Sequence, residues 1–420
     1  MPDLPMPSPL AKHWTLDPSW VFLNHGSFGA TPRAVLEEQT RWRGLLEAEP
    51  VAFFVEHHEG VMDEVRAALA GFVGCDAADL ALIPNASTGV ATVAANLRLN
   101  PGDEILISAH EYPACQNSLR QAAARHGAKV TYANIPFPCP SPDAVVQAYL
   151  DQVTPRTRLA LVSHVTSPTG LVLPVETLVK ELAAFGVDTL VDGAHAPGMV
   201  PTVNLRELGA AYYTANCHKW ICSPKGSAFL WVRPDKQAGF RPLVLSNNAE
   251  KPRPGRSQFL TEFDYQGTSD YTQAYSIPKA IEFMGREIGA ALGGGGDVLA
   301  GWQAVMRHNR ELCLRGRDVI CKRLGIAPPV PDSMIGSICT MALPSHDEAR
   351  QAKLAARPSK YHDALQDALL AKHKIQVPVW GLAGRPERFV RISAQVYNAM
   401  AQYEYLAEAL AQELKAERGM

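Results

Sequence analysis

The sequence predicts an α/β protein, with a large domain built on a mostly parallel seven-stranded sheet and a smaller α/β domain toward the C-terminal end. Three observations carry this reading. Between residues 80 and 235, seven short β-rich runs alternate with helical stretches. Several of those runs are almost continuously apolar, as strands covered on both faces must be. After a glycine run at 293–296 the alternation resumes with longer helices and fewer strands.

Taken in order, residues 1–50 read as a proline-rich arm followed by a helix, with Thr31 as N-cap and Pro32 in the first helical position. Residues 51–290 form the large domain. Its strands are expected at 81–83, 104–108, 129–133, 159–164, 189–192, 211–215 and 227–232. Asn85 or Ser87 caps a helix whose apolar face is Val90, Val93, Ala94 and Leu97. From 240 to 270 the period is lost among proline, glycine, serine and asparagine, as in functional loops or subunit contacts. A helical run at 272–288 follows. Residues 291–420 form the small domain, completed by part of the N-terminal arm, with helices near 298–324, 361–374 and 397–417 and strands near 337–343 and 389–393.

Apolar residues make up 47% of the 420 and charged residues 20%, an ordinary globular balance. The 40 basic and 42 acidic side chains leave a net charge of −2 with no long run of either sign, so nucleic acid and anionic membrane are not expected partners. No stretch reaches the roughly 18 continuous apolar residues of a membrane span, and the first residues lack the apolar centre of a secretory signal. The cytoplasm is the expected compartment. The eight cysteines are scattered without paired CxxC spacing and are expected as free thiols, with no zinc site.

Four segments carry chemistry. Asp192 ends an apolar strand, where a carboxylate points into the crevice at the carboxyl edge of a parallel sheet, although it also suits a helix cap. His195 follows it. Lys219 lies just past a later strand, within Asn216-Cys217-His218-Lys219-Trp220, a setting able to position and desolvate an amine; a solvated surface lysine is the plain alternative. Together, such an acid and such a lysine are what pyridoxal phosphate (PLP) asks of a protein. The run Asn85-Ala86-Ser87-Thr88-Gly89 opens a helix after a strand and offers amide donors to a phosphate, or simply caps the helix. Arg391 ends a late strand and has the planar fork that grips a carboxylate, with Arg385 and Arg388 as competitors. A metal-dependent hydrolase built on His57, His58, Glu59, His110, His164, His195 and His218 is a rival, but no HExxH-type spacing supports it.

The segments NHGSFGATP, NASTGV, HEY, SHVTSPTG, VDGAHAPG, NCHKW, QGTSD and RISAQVYN, in that order from about residue 22 to 398, resemble the class V aminotransferase family of fold-type I PLP enzymes. NHGSFGATP, VDGAHAPG and NCHKW are most similar to its isopenicillin N epimerase-like branch. The resemblance implies the PLP-dependent transferase-like fold type I, pyridoxal 5'-phosphate as cofactor and a small amino-acid-type substrate. It also implies a homodimer with shared active sites. Lys219 then corresponds to the Schiff-base lysine and general acid/base, Asp192 to the partner of the pyridine nitrogen, and His195 to the residue beside the ring oxygen. Ala86, Ser87 and Thr88 match the phosphate-binding helix start, and Asn216 and His218 match a second phosphate contact. Tyr112 or His110 takes the ring-stacking position, and Ser167 lies near the ring oxygen. Gly267 and Thr268 match a segment given to the neighbouring subunit's phosphate. Arg391 matches the substrate-carboxylate arginine, and Asn24 and His25 match a segment closing over the substrate.

Cysteine desulfurases of the family carry a cysteine in the loop before that arginine. Here residues 375–391 contain none, so persulfide transfer by that route is not expected. Epimerisation is the first reading, with His110, Tyr112 and His25 as candidates for a second acid/base. β-Elimination at a carbon–sulfur bond is the second, and transamination shares the same first step. The 241–265 loop is expected to decide side-chain preference; its Arg241, Arg253 and Arg256 are expected to face solvent, with receipt of a second substrate carboxylate as the alternative.

Overall fold

The computed structural model describes residues 4–201, 204–344, 348–382 and 387–418. Its centre is a seven-stranded sheet of β2 (Leu80–Ile83), β3 (Glu104–Ser108), β4 (Lys129–Ala133), β5 (Thr157–Ser163), β6 (Asp188–Asp192), β7 (Tyr212–Asn216) and β8 (Ala228–Val232). The order is β2-β8-β7-β6-β5-β3-β4, and only β8 runs against its neighbours. β2, β3, β7 and β8 are buried along their whole length, and β5 is buried apart from Arg158, which is why they read as strands despite lacking alternation. All seven expected strands are present, with ends shifted by no more than a few residues.

The carboxyl ends of β2, β3, β5, β6 and β7 lie along one edge, and the segments leaving them carry the residues of interest. The helix Ala86–Asn96 leaves β2 and crosses β7 so closely that a Cβ on Gly89 would fall 2.1 Å from Thr214 Oγ1. Glycine at this point lets the helix N-terminus sit over the crevice.

A second unit contains the antiparallel sheet β11-β12-β9, formed by β9 (Ile338–Ala342), β11 (Val379–Gly381) and β12 (Arg388–Ser393). Against it pack the helices Val298–Leu324 and Met400–Arg418. The N-terminal arm joins this unit through β1 (Val21–Phe22), which pairs in parallel with β10 (Ile375–Gln376). The arm then passes under the Lys219 turn, where Gly29 has φ +70° and a Cβ would sit 2.0 Å from His218 O.

Several expectations need correction. Thr31 does not cap the helix Arg33–Ala48: Pro32 is the N-cap, and the Thr31 hydroxyl donates to Ser223 O instead. The run at 272–288 breaks into Thr272–Tyr275, Ile277–Phe283 and a wider π-turn at Met284–Ile288, because Pro278 starts a new helix. Within 240–270 lies the helix Gln258–Asp264, capped by Ser257. His58, expected with His57 on an exposed face, is buried and bonded to Tyr275 OH and Asp264 O. The described cysteines are all free thiols. No helix among the described residues is long and apolar enough to cross a membrane.

Candidate active site

The site begins at the ends of β6 and β7. Asp192, buried at the end of β6, has one oxygen fixed by the Ala194 amide at 2.9 Å and the other by Cys115 Sγ at 3.3 Å. Burial raises its pKa, against those hydrogen bonds and the nearby Lys219 charge. Lys219 Nζ lies 3.0 Å from His195 Nε2, and Trp220 Nε1 lies 3.3 Å from His195 Nδ1. Burial, aided by the Arg391 cation and opposed by Asp192, brings the Lys219 amine down to about 7. An amine held there is largely unprotonated just above neutral pH, as a nucleophile toward an aldehyde has to be.

The phosphate-cup expectation meets a helix start with donors to spare. Asn85 Oδ1 accepts from Thr88 N at 2.8 Å and Thr88 Oγ1 at 3.1 Å, and Asn216 Oδ1 accepts from Ala86 N at 2.9 Å. This leaves the Ser87 amide and hydroxyl for a ligand, whereas Thr88 already serves the cap and the Ala86 amide is taken by Asn216. His218 Nδ1 donates to Ser227 O at 2.8 Å, so its Nε2 carries a lone pair, and burial holds its pKa down at about 4. His218 therefore donates to a phosphate only when the anion itself restores its proton.

Arg391, on β12, is buried without an acidic partner. Its Nη1 donates to Ser167 O at 2.6 Å, its Nη2 to Ser27 Oγ at 3.0 Å and Asn24 Oδ1 at 3.3 Å, and its Nε has no partner. The guanidinium also lies 5.0 Å from the Trp380 ring centre. A buried cation met only by neutral acceptors is costly unless an anion joins it, and burial pulls even this guanidinium down to about 10. Arg388, one competitor, is ion-paired with Glu417 and Asp363. Arg385, the other, lies outside the described residues.

Lys219, Asp192, His195, Asn216, His218, Arg391, Ser167 and Asn24 thus converge through hydrogen bonds or electrostatic contact. His25 takes a different place from the expected one. It is fully buried; Nε2 donates to Lys219 O at 3.0 Å and Nδ1 accepts from Tyr397 OH at 2.8 Å. With both nitrogens engaged it braces the lysine turn instead of facing a substrate. His110 is also buried, with Nδ1 on Thr169 Oγ1 at 2.9 Å, whereas Tyr112 is 46% exposed at the N-cap of the helix Pro113–His126. Gly267 and Thr268 lie toward the surface, with Thr268 Oγ1 bonded to Tyr265 OH at 2.8 Å, and no hydrogen bond joins them to the other site residues.

The loop arginines are corrected too. Arg241 pairs with Glu262, Arg253 with Glu59, and Arg256 with Glu59, Asp63 and Asp264. They are spent on acids of their own chain. Among the described residues no group of three or more His, Cys, Asp or Glu is arranged to hold a metal ion, and His164, one of the metal candidates, is bonded to Tyr213 OH.

Sequence reasoning missed Ser27, Cys115 and Glu111. Ser27 stood inside NHGSFG and was there to be assigned. Cys115 looked like any apolar helix position. Glu111 follows β3 as an acid at a strand end, the same signal that marked Asp192. It is buried among Ser108, Tyr149 and Ser163, and burial lifts its carboxyl to about 7.

Residues 31–292 match the model of the family described as aminotransferase class-V. The chain belongs to that family. Among curated class V relatives, isopenicillin N epimerase of Streptomyces clavuligerus is 32% identical over 407 residues, covering 94% of this chain and 95% of the relative. Putative L-cysteine desulfhydrase 1 of Oryza sativa subsp. japonica is 31% identical, covering 92% and 82%. Among solved structures, a variant of the enzyme C-DES with glycine covalently linked to its PLP cofactor aligns with a TM-score of 0.72 at 21% identity, covering 93% of this chain and 96% of that one. The seven-stranded class V fold and pyridoxal 5'-phosphate as cofactor follow. The residues present fit the group: an uncharged amine, an anchored carboxylate and a helix start with unused donors.

Proposed function

We propose that this PLP-dependent enzyme removes the α-proton of an amino-acid-type substrate, in an isopenicillin N epimerase-like reaction. The observation that carries the reading is the Lys219 amine, held near neutrality in the same pocket as a guanidinium without an acid. PLP, when bound, supplies an aldehyde to link the substrate amine and a ring that accepts the electrons left by proton removal. Lys219 would hold the cofactor and, as a free amine, take the α-proton. Asp192 would keep a proton on the pyridine nitrogen, and His195 would stand beside the ring oxygen. Ser87, Asn216 and a protonated His218 hold the phosphate. Arg391 grips the substrate carboxylate, trading its hydrogen bonds to Asn24 and Ser27 for charge-assisted ones. Ser167 keeps the guanidinium oriented through Nη1, Asn24 would close beside the substrate, and Tyr112 would cover the ring.

The exposure of Thr268 on a single chain supports a homodimer in which Gly267 and Thr268 complete the partner's phosphate site. Sedimentation at micromolar concentration tests this, since a monomer that binds PLP with full affinity would exclude it.

A second reading, β-elimination at a carbon–sulfur bond, is favoured by one observation. His25, a candidate second base, has both nitrogens engaged, and elimination needs only Lys219. Incubation with L-amino acids and cysteine in deuterium oxide separates the two. Racemised, α-deuterated amino acid supports epimerisation, pyruvate with ammonia and sulfide supports elimination, and the appearance of neither would sink both.

A further inference from the structure

We propose that Trp220 is a positioning residue that fixes His195 in one tautomer, and that this tautomer holds Lys219 as a free amine. The inference builds on the roles of Lys219 and His195 given above. An indole nitrogen has a hydrogen to give and no lone pair to receive one. Trp220 Nε1 lies 3.3 Å from His195 Nδ1, so Nδ1 is an acceptor. A neutral imidazole carries a single N–H, which must then sit on Nε2. That nitrogen is 3.0 Å from Lys219 Nζ, and its hydrogen is directed at the amine lone pair. An ammonium there would face a donor where it needs an acceptor.

The surroundings enforce the same state. Burial is what most opposes an imidazolium at His195, and the Lys219 and Arg391 charges act in the same sense, with the His25 and His218 rings standing near; Asp192 and Cys115 bear on Lys219 in the opposite sense, and burial outweighs them. His195 and Trp220 are each 1% exposed, so water does not replace the indole donor. The turn between them is clamped from the other side, where the His25 ring lies 4.8 Å from that of Trp220 and donates to Lys219 O.

The consequence concerns proton flow. With Nδ1 covered by the indole and Nε2 already protonated, His195 is a donor at its inner face and not a base. A proton taken by Lys219 from the α-carbon therefore stays on Lys219 until it returns to the substrate, passes to a leaving group or exchanges with water. The same Nε2–H is what His195 offers to the cofactor's phenolic oxygen.

The test is nitrogen NMR of the full-length, histidine-labelled protein, with and without PLP. His195 is expected with Nε2 protonated and Nδ1 bare in both. Trp220→Phe removes the donor and keeps a ring; it is expected to mix the tautomers and slow PLP capture about tenfold, the effect of one buried hydrogen bond. In a His195→Gln background, where an amide donor needs no tautomer, the same change is expected to have no effect on capture. Finding His195 protonated on Nδ1 in the unsubstituted protein, or an undiminished Trp220→Phe effect in the glutamine background, overturns the proposal. Failure of the PLP reading shows separately, as absence of a borohydride-reducible adduct on Lys219, and leaves the tautomer measurement intact.

Discussion

Two groups of arginines in this molecule have opposite surroundings. Arg66, 1% exposed, and Arg256 are enclosed by Asp63 and Asp264, and Arg241 lies against Glu262, so each positive charge meets a carboxylate of the same chain. Arg391 is as deeply buried and meets only a carbonyl, two hydroxyls and an amide oxygen. A matched cluster is complete as folded and its charges hold the chain together. An unmatched cation is incomplete as folded, which marks the place where an anionic ligand belongs. The contrast gives Arg241, Arg253 and Arg256 a structural place and supports the proposed role of Arg391 toward the substrate.

The strongest way to break this division is to exchange the outcomes. Lys219→Ala sits at the centre of the unmatched site and is expected to lower kcat by about 10²–10⁴ or more, with the melting temperature little changed. Next, Arg66→Gln leaves the buried Asp264 carboxylate with Arg256 alone and is expected to cost about 1.5–3 kcal/mol of stability, read from denaturant unfolding. Arg391→Gln is expected to do the reverse, raising KM about 10- to 100-fold through loss of charge-assisted hydrogen bonds while stability falls by less than about 1 kcal/mol. Equal stability losses for these two arginine variants would erase the distinction.

Smaller effects sharpen it. The rate at which the PLP-free protein captures PLP is expected to rise with pH through about 7, because Lys219 reacts as the free amine and its pKa is depressed to about 7. Removing the Arg391 cation relieves part of that depression, so Arg391→Gln is expected to move the inflection to higher pH. Asp192→Asn removes the opposing charge and is expected to move it lower. Arg241→Gln leaves the buried Glu262 carboxylate to Gln258 and is expected to cost about 1–3 kcal/mol of stability while KM stays unchanged.

How much of this was legible in the sequence follows from the range over which each signal acts. Strands β3 and β4 were placed to the residue, because strand composition and turn residues are local. Lys219 and Asp192 stood out as candidates because they lie at or just past strand ends on one sheet edge, and Arg391, within β12 of the other sheet, because it opens a motif. The partners of Arg256 were not legible. Asp63 lies 193 residues away and Asp264 eight, and nothing in a loop rich in proline and glycine says that such acids will converge. His25 misled for a related reason. Its motif pointed to the site, but only the fold shows that its nitrogens are satisfied by Lys219 O and Tyr397 OH, in segments nearly 200 and more than 370 residues downstream. Trp220 was noted as packing beside the lysine, whereas its donor role depends on the position of one indole hydrogen.

The central claim is that the uncharged amine of Lys219 is the covalent anchor of the cofactor. Borohydride reduction of the PLP-loaded protein, followed by peptide mapping, tests it most directly. The account predicts a single pyridoxyl group on Lys219, absent after Lys219→Ala; a pyridoxyl group on another lysine, or an adduct that survives that substitution, would contradict it.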